Sequence, residues 1–288
     1  MGHTILLSVT ILGSIGLASS VILYYISQKF KVYEDPRIDI IQHILPGANC
    51  GGCGFTGCRN FAEALIKAES LEGYNCPVGG ENVMAEVAKI LGKETFTTES
   101  RVAVVRCQGS YENCLRTSEY DGVKECIIVH KLYGGETDCQ YGCLKYGDCV
   151  KSCLFDAMYM DEKTGLPVIL DDKCTGCGAC VKACPRNIIE LRKKAKKDRK
   201  IFISCVNTDK GALALKICKV ACTGCNKCYK ICEYDAITIN NFLAYIDSFK
   251  CTLCRKCVTE CPTGAIVEMN FPPRKTKSEA IQVPVKEE

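Results

Sequence analysis

Thiols dominate the chemistry open to this chain. Cysteines stand at 174, 177, 180 and 184 and again at 251, 254, 257 and 261, with proline after each run at Pro185 and Pro262. Three thiolates separated by two residues converge on one cubane [4Fe–4S] cluster, and the fourth, after three more residues, points toward a neighbouring cluster. A third run, Cys222, Cys225, Cys228 and Cys232, keeps the spacing with Glu233 in place of proline. The reaction such sites support is outer-sphere, one-electron transfer. Zinc is the rival occupant, because paired C-x2-C units also make four-thiolate zinc sites. Those sites put a long spacer between two pairs, whereas here a third cysteine follows at once, which favours iron–sulfur.

Two further groups are less regular. Cys50, Cys53 and Cys58 lie in a glycine-rich stretch from Pro46, and Cys76-Pro77 follows after 17 intervening residues. Glycines there permit a metal-wrapping loop and let backbone amides approach sulfur. This spacing suits one [4Fe–4S] cluster held by Cys50, Cys53, Cys58 and Cys76, with zinc as the lesser alternative. The other group is Cys139, Cys143, Cys149 and Cys153. Aligning Cys143, Cys149 and Cys153 with Cys222, Cys228 and Cys232 puts Tyr146 where the middle cysteine belongs, and Cys139 is close enough to substitute for it.

In a two-cluster fold of this kind the fourth cysteine of each run serves the other run's cluster. The expected sets are therefore Cys222, Cys225, Cys228 with Cys261, and Cys251, Cys254, Cys257 with Cys232. In the preceding module they are Cys139, Cys143, Cys149 with Cys184, and Cys174, Cys177, Cys180 with Cys153. Without Cys139 the first of these becomes a three-cysteine site with a lost or labile iron. Five clusters use 20 of the 25 cysteines, leaving Cys107, Cys114, Cys126, Cys205 and Cys218. Val102–Cys107 resembles Ile201–Cys205, and each is followed by another cysteine, Cys126 or Cys218. These four are read as buried structural thiols, with an additional metal site or a reactive thiol pair as the alternatives.

The elements that must position these thiols are small. Ala236–Asn240 with Phe242–Ile246, and Met158–Met160 with Leu166–Leu170, alternate like the strands of two hairpins. Asn60–Leu71, with Phe61, Leu65 and Ala68 on one face, and Glu81–Leu91, ending at Gly92, read as helices. Ile5–Ile26 carries no charge and is long enough to cross a hydrocarbon core of about 30 Å. Tyr24, Tyr25, Lys29, Lys31 and Arg37 then form an interfacial belt and a positive flank. That places the amino terminus outside and the thiols in the cytoplasm. A cleavable signal peptide fits less well, because no basic residue precedes the apolar run.

Cysteine makes up 25 of 288 residues, an odd and clustered number that argues for metal rather than disulfides and for a reducing compartment. A net charge of +4 gives no reason to expect nucleic acid. The one basic concentration, Arg192–Lys200, reads as a solvated loop, or as a docking surface for an acidic protein or anionic lipid. His3, His43 and His130 have no partners at ligand spacing, and no Gly-rich dinucleotide loop follows a strand.

An apolar anchor, then N-C-G-G-C-G-x-x-G-C from Asn49 to Cys58 with Cys76-Pro77, then tandem ferredoxin modules, resembles the B subunits of Rnf complexes over residues 1 to 270. The resemblance implies an electron-relay subunit of an ion-translocating ferredoxin:NAD oxidoreductase. It also implies partner membrane and peripheral subunits and soluble ferredoxin, with translocation belonging to those partners. The rivals are a membrane-tethered polyferredoxin of a hydrogenase or other respiratory reductase, and a zinc-binding scaffold. The expected α+β architecture is an anchor over 1–28, a small helical cluster domain over 33–93, ferredoxin-like modules over 94–200 and 201–270, and a disordered tail over 271–288.

Overall fold

The computed structural model describes residues 2–30, 35–96 and 99–273; Lys31 and the tail from 274 lie outside the described residues. Helix α1 (Gly2–Lys29) stands clear of the rest of the chain, with Leu6, Leu12 and Leu17 exposed. Among the described residues it is the one helix long and apolar enough to cross a membrane. Three of its hydroxyls are satisfied within the helix: Thr10, Ser14 and Ser20 donate to the carbonyls of Leu7, Ile11 and Gly16 at 2.9, 2.8 and 2.9 Å. In hydrocarbon such groups have no water to bond, so internal satisfaction is what a lipid-exposed helix needs.

The next domain packs α2 (Arg37–Ile44), α3 (Cys58–Lys67) and α4 (Gly80–Leu91) around Ile41, Phe61, Leu65 and Val87. Helix α2 joins this core through Ile38 and Ile41, so the segment after the anchor is an integral wall of the domain. Helix α3 stops at Lys67, four residues before the limit expected at Leu71, and Ala68 turns extended. Lys93 explains the stop. Its ammonium donates to the carbonyls of Leu65 and Ala68 at 2.8 and 2.5 Å, satisfying groups that another turn would otherwise cover. Helix α4 ends as expected at Gly92, whose φ of 64° is the left-handed cap conformation.

From residue 101 the chain runs β1 (Arg101–Val105), α5 (Cys126–Leu132), α6 (Asp148–Lys151), β2 (Met158–Met160), β3 (Pro167–Ile169), α7 (Ala179–Ala183) and β4 (Ile189–Lys193). It continues as β5 (Lys200–Ile203), α8 (Gly211–Ile217), α9 (Lys227–Ile231), β6 (Ile237–Asn240), β7 (Leu243–Ile246), α10 (Lys256–Glu260) and β8 (Ile266–Met269). Without α5 and α8, each half reads strand, short helix, hairpin, short helix, strand. In both halves the outer strands pair antiparallel, Arg101 opposite Lys193 and Lys200 opposite Met269. The inner strands form the two hairpins, Met158 opposite Ile169 and Ile237 opposite Ile246. Two-stranded sheets are marginal alone. Each here covers a compact core that its own cysteines help to line.

Buried arginine joins the halves. Arg192, only 3% exposed, donates to the carbonyls of Ile201 and Ile246 and pairs with Glu190 at 2.8 Å. Arg106 reaches the carbonyls of Ile203 and Cys205, each at 3.3 Å. Lys200 is buried against Asp171. The basic concentration is thus a connector more than a loop: its Lys193 pairs with Glu99, Lys194 with Asp198, and Arg199 stacks over Phe271. Within it Lys196 and Lys197 are the exposed cations. Arg192 lies on the face of β4 opposite Ile189 and Leu191 and so turns toward the second half, which a count of charges cannot reveal.

Candidate metal centres

One backbone device recurs at four of the thiol runs. The residue two before the third cysteine takes a left-handed conformation: Gly147, Gly178, Asn226 and Arg255, with φ of 78°, 78°, 63° and 69°. A short helix then starts, and Cys149, Cys180, Cys228 and Cys257 on these helices are all buried. The turn reverses the loop so that the earlier cysteines of the run face the helical one. Gly224 shows how closely that loop is held: a Cβ there would lie 2.6 Å from the Phe242 carbonyl oxygen. The loop between Cys222 and Cys225 therefore lies directly on the hairpin turn.

Fourth cysteines cross between runs. Cys261 lines a void of about 330 Å³ with Cys222, Cys225 and Cys228. Cys153 does the same, in another void of about 330 Å³, with Cys174, Cys177 and Cys180. Cys232 is a close electrostatic neighbour of Cys251 and Cys257, and Cys254 neighbours both.

The irregular run differs from its expected set. A void of about 360 Å³ is lined by Cys143, Cys149, Cys184 and Cys126, while Cys139 lines a separate void. Cys126 begins α5, and the amides of Tyr146 and Asp148 donate to its sulfur. Tyr146 occupies the missing middle position, and its backbone holds the replacement thiol. The fourth thiol that the fold brings to this void comes from 20 residues upstream of Tyr146, a distance across which spacing carries no signal. Its repeat-based grouping with Cys107, Cys205 and Cys218 is correspondingly not what the fold brings together.

In the small domain, Cys76 lies beside Cys50 and Cys53 and accepts the Gly79 amide at 3.3 Å, while Cys58 opens α3. Asn49 accepts the Cys58 amide at 2.8 Å, closing the loop. This loop abuts the next module: a Cβ on Gly52 would fall 2.7 Å from Pro77 and 2.9 Å from the Cys177 carbonyl oxygen.

Burial first, and the neighbouring thiols second, push Cys149, Cys180 and Cys257 up to about 12 and Cys228 up to about 11. Converging thiolates in so dry a place require a positive centre among them. Among the described residues no three His, Cys, Asp or Glu side chains converge closely enough for a single ion. Thiolate fours set around a void, with amides directed at sulfur, fit a polynuclear iron–sulfur cluster.

Family comparisons agree with this chemistry. A family model for an Fe-S cluster matches residues 45–78, one for a 4Fe-4S binding domain matches 167–190, and one for a 4Fe-4S dicluster domain matches 221–265. The chain is 44% identical, over 86% of its own length and 73% of the relative's, to the B subunit of the Na(+)-translocating ferredoxin:NAD(+) oxidoreductase complex of Acetobacterium woodii. It is 40% identical to the proton-translocating counterpart from Clostridium ljungdahlii, over 85% of each chain. It is also 40% identical to the B subunit of the ion-translocating oxidoreductase complex of Methanosarcina acetivorans, over 87% of this chain and 93% of the relative.

Proposed function

This chain belongs to the family of B subunits of ion-translocating ferredoxin:NAD(+) oxidoreductase (Rnf) complexes, and from that premise we propose which of its cysteines hold the clusters. It is an iron–sulfur electron-relay subunit of an oxidoreductase and translocase. Bound [4Fe–4S] clusters supply reversible one-electron chemistry, over a range of roughly −700 to +450 mV set by their surroundings.

Five sets are assigned: Cys50, Cys53, Cys58 and Cys76; Cys126, Cys143, Cys149 and Cys184; Cys153, Cys174, Cys177 and Cys180; Cys222, Cys225, Cys228 and Cys261; and Cys232, Cys251, Cys254 and Cys257. The observation that carries the assignment is the crossed convergence of Cys153 and Cys261 on voids of equal size. The chain's own part is to hold the thiolates, exclude water from them and direct amides at their charge. Lys145 donates its amide to Cys143 at 3.4 Å, and Ala244 donates to Cys222 at 3.5 Å. Such donors stabilise the more negative, reduced form and raise a site's potential.

Residues 94–200 and 201–270 act as two ferredoxin-like modules. Helix α1 anchors them to the cytoplasmic membrane as a single pass, amino terminus outside, with Tyr24 and Tyr25 at the interface and Lys29 on the inner flank. Cys225 and Cys254 are the exposed thiols, so soluble ferredoxin docks on that face of the second module. Partner proteins in the complex bind NAD and move the ion. The test is iron, acid-labile sulfide and zinc on the full chain purified anaerobically in detergent. Equal iron and sulfide, at about 20 or more of each for five four-iron sites, support the assignment. Zinc with little sulfide refutes it.

A further inference from the structure

A further thiol-lined void lies at the junction of the two modules and belongs to none of the five sets. It measures about 450 Å³ and is lined by Cys107, Cys114, Cys139, Cys205 and Cys218, with Cys143 of the neighbouring set at its edge. Four of these five come in symmetric pairs. Cys107 stands two residues past β1 and Cys205 two past β5, while Cys139 precedes Cys143, and Cys218 precedes Cys222, by the same four positions. The structural repeat therefore pairs Cys218 with Cys139 rather than with Cys126.

Each member of these pairs accepts the amide two residues ahead. Gly109 donates to Cys107 at 3.4 Å, and Tyr141, Asn207 and Val220 donate to Cys139, Cys205 and Cys218. That pattern is the one found at thiols assigned above, from Val78 to Cys76, Lys145 to Cys143 and Leu253 to Cys251. The Asn207 side chain, 2% exposed, adds a donor 3.9 Å from the Cys139 sulfur. Close backbone approach completes the cradle: a Cβ on Gly142 would lie 3.3 Å from the Cys139 sulfur and 3.7 Å from that of Cys107. Cys114 is different. It has no symmetric counterpart, and its contacts are the side chains of Cys139, Cys218 and Thr137.

Structural thiols need neither a shared void nor amides aimed at sulfur, whereas metal-bound thiolates use both. We propose that Cys107, Cys139, Cys205 and Cys218 hold a sixth iron–sulfur cluster, of the [4Fe–4S] class, between the two modules. This rests on the iron–sulfur reading of the chain. Its flanks are ligands of the neighbouring sets: the Cys143 amide donates to Cys107 at 3.4 Å, and the Cys222 amide donates to Cys205. The site thus joins the two modules electrically as well as mechanically.

The test compares iron, acid-labile sulfide and zinc in the anaerobically purified full chain with the same measurements on Cys205→Ala and Cys114→Ala. Six four-iron sites predict about 24 iron and 24 sulfide in the parent chain, about four fewer of each in Cys205→Ala, and no change in Cys114→Ala. If Cys205→Ala fails to fold, the parent count decides alone. A count of about 20 overturns the sixth cluster and leaves the five-set assignment standing. So does an undiminished count in Cys205→Ala, or one zinc per chain beside about 20 iron. Iron and sulfide far below that level overturn both.

Discussion

The two modules share a plan and differ in how they fill it. In the second, two regular runs supply every thiol of both groups, and Cys225 and Cys254 reach the surface. In the first, one run is broken by Tyr146, and Cys126 from α5 is the fourth thiol lining its void. Yet the repaired void, at about 360 Å³, nearly matches the regular ones at about 330 Å³. What is kept is the place where four sulfurs meet, not the spacing that delivers them. The repair has a structural consequence: α5 packs Val129 against Leu144 of the first module and buries Cys126. The broken module is thus the covered one, and the regular module is the one whose thiols reach the surface.

The largest effect is expected from removing the metal, which both modules share. Cysteines are part of both module cores, so anaerobic chelation of iron should unfold both, read as loss of far-UV circular dichroism and gain of protease sensitivity across 101–270. Retention of native dichroism in the apoprotein would mean that the apolar cores suffice. The next effect is confined to the repaired site. Cys126→Ala should lose about four irons, and adding Tyr146→Cys should restore them by rebuilding the regular run. A double variant that stays depleted would show that position 146 does not face the void.

Two smaller effects follow. Arg192→Met removes a buried cation that holds the carbonyls of Ile201 and Ile246 and pairs with Glu190. It should cost about 3 kcal/mol in thermal or denaturant unfolding of the loaded protein. Arg106→Met, whose side chain is 12% exposed, should cost less. Gly92→Ala, at a left-handed cap outside both modules, should cost about 1 kcal/mol and leave the iron content unchanged.

Much of this arrangement is legible in the sequence wherever the signal is local. Alternation in Ala236–Ile246 marks the second hairpin, and Gly92 marks the end of α4. What is not legible depends on tertiary approach. Cys126 is joined to Cys149 only by the packing of α5, and α3 stops at Lys67 because Lys93 arrives from beyond α4. Arg192 sits among lysines in the sequence and looks like surface charge, but the pleat of β4 turns it into the junction. The five leftover thiols look alike in the sequence; only amide direction separates Cys114 from the other four at the junction void and its neighbour.

As an electron-relay subunit, this chain accepts and passes single electrons. That role is tested most directly by anaerobic titration of the iron-loaded full chain with reduced soluble ferredoxin, following the cluster absorbance and low-temperature EPR. A relay with several clusters should take up more than one electron per chain and be rapidly reoxidised by an added acceptor. A protein with full iron and sulfide that takes up no electrons under these conditions would contradict it.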